Sequence, residues 1–405
     1  MCSVRRFASA DGVHKVVAAV LFCAAFLAGC STQNVPSNLP SREPAAMPPA
    51  ISTTPVQGEV IGTGNTRVAL LLPLGAEGNG GVVATELRNA AQLALEDAGQ
   101  DALQIVVKDT AGTEAGASAA VASAAAEGAA LVLGPLFAAD VRAASSALGP
   151  SRPPIIAFSS DRSVAAPGVY LNSFLPEELV RRIMAYAASQ GLTKVVALVP
   201  NGPAGNLAEA EARRTLQQAG GDIVALARYD YDNVSVAAAV QEVALAVAGA
   251  DAIFIPDGGN TPSAIVSALK SMGVDLTGKK LLGNGQWTSA DLSDPALQGG
   301  WFADVDHARL NIFKARYRQR FGGEPSVTAS LGYDSVILAA TLARQGGAAA
   351  FTPANLQIST GFAGTTGTFR FRSDGTNERG YAVYEVSDGV ARPISPAPTR
   401  FAESS

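Results

Sequence analysis

The chain has 405 residues, of which 48% are hydrophobic and 16% charged, and its formal net charge is −5. That length supports two or three domains with substantial cores, and the absence of a basic excess excludes nucleic acid as a partner. The apolar residues are mostly Ala and Val in short runs, without a long apolar block after the N-terminus, which excludes a polytopic membrane protein.

The first segment reads as a targeting signal. Arg5, Arg6 and Lys15 precede an apolar run from Val16 to Leu27, too short to cross a bilayer core of about 30 Å, which takes ~20 helical residues. The run ends Leu27-Ala28-Gly29-Cys30, which resembles the lipobox of bacterial lipoproteins. That resemblance implies a signal peptide over residues 1–29 and lipidation of Cys30. An ordinary cleaved signal with an incidental cysteine is the alternative. Ser31, where an Asp would favour inner-membrane retention, points to the outer membrane, facing the periplasm.

Cys2 and Cys23 leave with the signal, so no thiol remains for a disulfide, metal site or nucleophile in the folded part. Loss of three cations and one acid leaves a mature charge of about −7. His307 is then the one histidine. It cannot build a zinc site and supports a catalytic triad only weakly, so it is expected as a solvated loop or helix-start residue. Residues 30–65 read as the lipidated Cys plus a disordered tether, because Pro36, Pro40, Pro44, Pro48, Pro49 and Pro55 are scattered among small polar residues with no aromatic. At ~3.1 Å per extended residue it reaches on the order of 100 Å.

From Thr66 onward, strands alternate with helices. Arg67–Leu72 and Leu103–Lys108 read as buried strands around a helix over 82–97, followed by a helix near 114–126, a strand at 130–133, a helix over 139–148 and a strand at 154–158. A second series gives helices at 176–190, 206–219, 235–248 and 262–272, interleaved with strands at 194–199, 222–228, 252–256 and 280–283. Helices at 308–321 and 330–345 and short strands near 367–372 and 380–386 complete the chain. Parallel strands require crossovers, so this order predicts an α/β protein of two doubly wound parallel-sheet lobes.

Val68–Gly75 with Gly80-Gly81, Asp109, Gly134-Pro135, Phe158-Ser159-Ser160 and Gly332-Tyr333-Asp334 together resemble the type I periplasmic-binding fold of leucine/isoleucine/valine-binding proteins, over about residues 66–395. The resemblance implies a three-crossing hinge near Leu171–Phe174, Trp301–Asp306 and Gly361–Phe371. Lobe one would comprise 66–172 and 302–360, lobe two 173–301 and 361–395, and a tail 396–405. Within that superfamily, Gly134-Pro135-Leu136-Phe137-Ala138-Ala139-Asp140-Val141 resembles the lipoproteins that activate penicillin-binding proteins, with the tether standing in place of the helical-repeat domain found in some of them.

Ligands of doubly wound sheets lie beyond the carboxyl ends of strands. The candidate cleft therefore takes Leu74, Gly75, Asp109, Pro135, Leu136, Phe137, Ser159 and Ser160 from lobe one, and Asn201, Asp257, Gly258, Gln286 and Trp287 from lobe two. By resemblance to amino-acid binders, Ser159 and Ser160 would hold a carboxylate and an acid of lobe two, Asp257, an ammonium. Phe137, Ala138 and Ala139 stand where those relatives carry serines, and Gln286 near where they carry a carboxylate, which weakens capture of a zwitterion.

Other readings stay open. Asp109 and Asp257 could cap helices, Phe137 and Trp287 could be core, and Asp161-Arg162 could be a solvated pair. Gly202-Pro203-Ala204-Gly205 lacks the lysine and hydroxyl of a phosphate loop, and Gly364-Thr365-Thr366-Gly367 reads as the start of a strand. Two functions follow: a regulator reaching a class A penicillin-binding protein, or a receptor delivering a small zwitterion, such as a branched-chain amino acid, to an ABC permease. Neither needs a cofactor or metal. An enzyme is not expected, for want of a nucleophile–base pair.

Overall fold

The computed structural model describes residues 55–149 and 152–401. The expected signal peptide, Cys30, most of the tether and the end of the tail lie outside the described residues.

In the first lobe the elements are β1 (Glu59–Ile61), β2 (Arg67–Leu72), α1 (Asn79–Ala98), β3 (Gln104–Asp109), α2 (Glu114–Ala126), β4 (Leu131–Leu133), α3 (Ala138–Ala147), β5 (Ile155–Ala157) and β6 (Val169–Leu171). The sheet order is β1-β3-β2-β4-β5-β6, parallel except for β1. Side chains alternate across a strand. In β2, Val68, Leu70 and Leu72 therefore enter the core shared with α1, whereas Ala69 and Leu71 enter the one shared with α2 and α3. Burial on both faces is why the strand is an unbroken apolar run, each leucine contributing about 1.5–3 kcal/mol. The Ala-rich α2 buries only Ala117, Ala120, Val121 and Ala124, and the Thr113 hydroxyl starts it by accepting from Gly116 N.

The second lobe contains α4 (Pro176–Ser189), β7 (Lys194–Pro200), α5 (Pro203–Gln218), β8 (Asp222–Tyr229), α6 (Asn233–Val243), β9 (Ala252–Phe254), α7 (Thr261–Ser271), β10 (Lys280–Gly283) and β11 (Trp301–Asp304). The helix expected to 248 stops at Val243, with a separate single turn at Ala246–Gly249. The chain then returns through α8 (His307–Phe321), α9 (Ala329–Gly346), α10 (Pro353–Leu356), β12 (Phe362–Gly364), β13 (Gly367–Phe371), β14 (Asn377–Arg379), β15 (Ala382–Ser387) and β16 (Val390–Ser395). The lobe-two sheet runs β16-β15-β11-β10-β9-β7-β8, its β15 and β16 antiparallel. Its two faces alternate in the same way: Val196 and Leu198 of β7 meet the core of α6 and α7, and Val195, Ala197 and Val199 that of α4 and α5.

Four expectations are corrected. Part of the tether is structured, since β1 pairs Val60 with Val106 on the edge of the first sheet. Trp301–Asp304 is a strand between β10 and β15, so the second crossing narrows to Val305–Asp306. The segment 361–371 is not a crossing. β12, β13 and β14 form a separate small sheet whose Phe369 and Phe371 pack into the lobe-one core, and the third crossing falls at Gly380–Tyr381. Asp161 and Arg162 are both exposed, as expected of a solvated pair, but do not pair with each other: Asp161 meets Arg142 and Arg162 meets Asp374.

A buried polar knot stitches these crossings together. Arg379 donates to Asn172 Oδ1 at 2.6 Å and Thr366 Oγ1 at 2.8 Å, and lies between the rings of Phe174 and Phe369. Asp334 of α9, 3.9 Å from Arg379, accepts from the Thr365 backbone N and hydroxyl. Burial pushes the Asp334 carboxyl up to about 6 against the pull of Arg379.

Candidate functional site

Two cavities of ≈ 570 Å³ each open beside this hinge and share Phe174 of the first crossing. The first is a lobe-one cavity. The loop after β4 delivers Leu136 and Phe137 to it, and the loop after β5 delivers Ser159 and Ser160. Pro135 O accepts from Phe158 N, which holds the two loops side by side. The Phe137 ring lies over Gly80, where an added Cβ would come within 2.8 Å of it, and its exposure is 37%. Ser159 is buried, and its hydroxyl accepts from Asp161 N at 3.2 Å, a local turn bond. Ser160 is exposed. Thr328 adds a hydroxyl from the approach to α9.

The second cavity is lined by one residue from each crossing, namely Phe174, Val305 and Tyr381. Gln286 and Thr288 border it from the turn after β10, and His307, Asn311 and Lys314 from α8. Positions 307, 311 and 314 fall on one helical face. Asp306 starts that helix by accepting from Ala308 N and Arg309 N, which points its first residue at the hinge. His307 Nε2 lies 2.7 Å from Asp304 Oδ2, and its ring stacks on Tyr384 at 4.1 Å. The Tyr381 hydroxyl is buried without a hydrogen-bond partner, and burial raises its pKa.

The remaining expected residues stand elsewhere. Leu74 packs against the lobe-one core. Asp109 accepts from Gly75 N at 3.1 Å and Ala111 N at 2.7 Å, closing a turn. Asn201 donates to Asp230 at 2.9 Å. The Asp257 carboxylate accepts from the Tyr229 hydroxyl at 2.9 Å and Gly258 N at 2.8 Å and lines neither cavity. Burial, reinforced by Asp257, raises the Tyr229 pKa, so the phenol stays a donor. Gly258 packs against Gln286 O and the Ser289 hydroxyl. Trp287 is a correction. It is fully buried, its indole N–H donating to Ile255 O at 3.0 Å, and Gly283 leaves the space the ring fills. Asp257 and the serines thus do not share one cavity. Among the described residues, no group of three or more His, Cys, Asp or Glu is placed to hold a metal ion.

Sequence reasoning missed Phe174, Tyr381, Asn311 and Lys314. The i, i+4, i+7 spacing of the polar residues on α8 was the available signal, but it acquires meaning only once the second crossing is placed just before His307.

Two lobes built around parallel sheets, three crossings and ligand-sized cavities beside the hinge agree with the match of residues 65–391 to the periplasmic binding protein family. The chain belongs to that family. A binding-protein fold is also what solved structures share with it. One, a putative branched-chain amino acid ABC transporter from Rhodospirillum rubrum, has 19% identity over 81% of this chain and 99% of its own, with a TM-score of 0.71. The LpoA (YraM) C-domain from Haemophilus influenzae, a regulator of PBP1A, has 18% identity over 81% of this chain and 100% of its own, at 0.61. A substrate-binding protein from Desulfitobacterium hafniense in complex with Leu has 19% identity over 81% and 99%, at 0.55. No curated protein sequence matches.

Proposed function

We propose that this periplasmic binding protein family member is a non-catalytic cell-envelope lipoprotein that acts by protein contact, as a regulator of a class A penicillin-binding protein. The observation that carries this reading is the state of Asp257. A receptor for an α-amino acid needs an acid of lobe two opposite the lobe-one hydroxyls, and Asp257, the acid expected in that role, is instead engaged by Tyr229 and Gly258 outside the cavity holding Ser159 and Ser160. The likeness to a PBP1A regulator over the whole of that domain supports the same reading. The purified protein should raise the glycan-polymerising or cross-linking rate of a class A synthase with no free amino acid present; an unchanged rate together with saturable leucine binding would reverse the assignment.

The competing reading is a solute receptor, favoured by the two cavities that meet at Phe174 and by the unpartnered Tyr381 hydroxyl in one of them. In either case the proposed anchor is the lipid on Cys30, with the domain facing the periplasm from the outer membrane. Cys30→Ala should release the protein from the membrane fraction and shift its mass; retention with an unaltered mass would rule the anchor out.

A further inference from the structure

Behind the hinge, on the other side of Tyr381 from the cleft, lies a separate cavity of ≈ 410 Å³ between α4, the β14–β15 corner and the segment after β16. Arginines dominate one wall: Arg181 and Arg182 of α4, and Arg379 at the third crossing. Two carboxylates, Glu178 and Glu378, line it with them, and both are engaged. Glu178 pairs with Arg181 and with Arg372, and Glu378 with Arg370 and Arg372. The excess charge falls on Arg182. Its Nε donates to Tyr381 O at 2.9 Å and its Nη2 to Ser395 Oγ at 2.6 Å, both neutral partners. Its Nη1 has no hydrogen bond, and it has no ion pair, among the described residues. Burial pulls the Arg182 guanidinium below its usual pKa, opposed only by Tyr186, whose ring lies 5.7 Å from it. A second observation points the same way: Arg379, 3% exposed and otherwise held by Asn172, Thr366 and Asp334, has one donor, its Nε, buried without a partner. A partly buried guanidinium without an ion pair, as at Arg182, is stabilised when an anion meets it, and its planar fork suits carboxylate and phosphate oxygens. The facing wall, Pro396, Pro398 and Phe401, is apolar.

We infer that this cavity is a binding site for a small oxyanion carrying an apolar body, with the carboxylate or phosphate group held by Arg182 and the body laid on Pro398 and Phe401. The site is distinct from the two cavities beside the hinge, sharing only Tyr381 with one of them, and independent of whether the protein regulates a synthase. Because Arg182 also grips the third crossing through Tyr381 O, an occupied site would hold α4 against the hinge.

The test is thermal unfolding and calorimetry of the full chain with benzoate, acetate and inorganic phosphate as probes, against sodium chloride at equal ionic strength. Benzoate should raise Tm beyond chloride and beyond acetate; a response to phosphate alone would assign the group as a phosphate instead of a carboxylate. Arg182→Gln should weaken binding about tenfold or more, as loss of a charge-assisted hydrogen bond predicts. Ala185→Phe, at an exposed helix position on the cavity rim, should abolish the response while leaving the Arg182 bonds and both interlobe cavities intact. Shifts no larger than those with chloride, or equal shifts in wild type and Ala185→Phe, would overturn the proposal.

Discussion

Asp334 shows how one side chain can couple the hinge to pH. Its carboxyl is pushed up to about 6 chiefly by burial, whereas an unfolded aspartate titrates near 3.9. Between these values the folded state holds more protons than the unfolded one, so this group's favourable contribution is complete below about pH 4 and lost as pH rises through about 6. Asp334→Asn keeps the acceptor for Thr365 but abolishes the titration. The stability of wild type relative to this variant, from denaturant melts, should therefore fall as pH rises from 4 to 7, and a pH-independent difference would disprove the assignment. Asp334→Ala should be the more damaging change, by about 1–3 kcal/mol, because it leaves the half-buried Thr365 donors and the buried Arg379 without their acceptor. The Gly-Tyr-Asp motif was legible as sequence. The role of its aspartate was not, since Thr365 and Arg379 reach it from 31 and more residues along the chain.

Among the elements, most parallel strands of both lobes could be read because burial on two faces writes each one as a local apolar run, whereas the short β6 and β11, next to the chain crossings, were not read as strands. β16 could not, since most of its residues are exposed and it is held by pairing with β15. β1 was hidden for a related reason: three residues in a proline-containing segment carry no period, and only the free edge of β3 recruits them. Truncation of the chain through residue 62 should strip this edge strand, uncover Ile61's packing site and lower Tm measurably; an unchanged Tm would mean that β1 adds nothing to the lobe. Helix contact offers a sharper check. α1 and α9 approach closely where a Cβ on Gly332 would stand 2.7 Å from Leu87 O. Gly332→Val forces these backbones apart and should cost about 1–3 kcal/mol, as overpacking does, read as a lower denaturation midpoint with an unchanged m-value.

At the scale of the whole molecule, the two functional readings differ in whether the lobes must move. A receptor closes on its ligand, so leucine should shrink the radius of gyration in solution scattering and Ser160→Ala should weaken binding by about 1–3 kcal/mol. A regulator that works by surface contact should stimulate its synthase equally with or without leucine, and Ser160→Ala should leave that stimulation unchanged. The α/β class, the two doubly wound lobes and the polar ends of their strands were determined by the sequence alone, because apolar runs and helical spacing are local signals that each segment carries by itself. Tertiary structure alone decided where the chain crosses between lobes, that Trp287 fills a core, that Asp257 is sealed by Tyr229, and that an arginine-lined cavity lies behind the hinge. Each of these depends on which distant group arrives to pair with or desolvate a side chain, and no local pattern encodes that arrival.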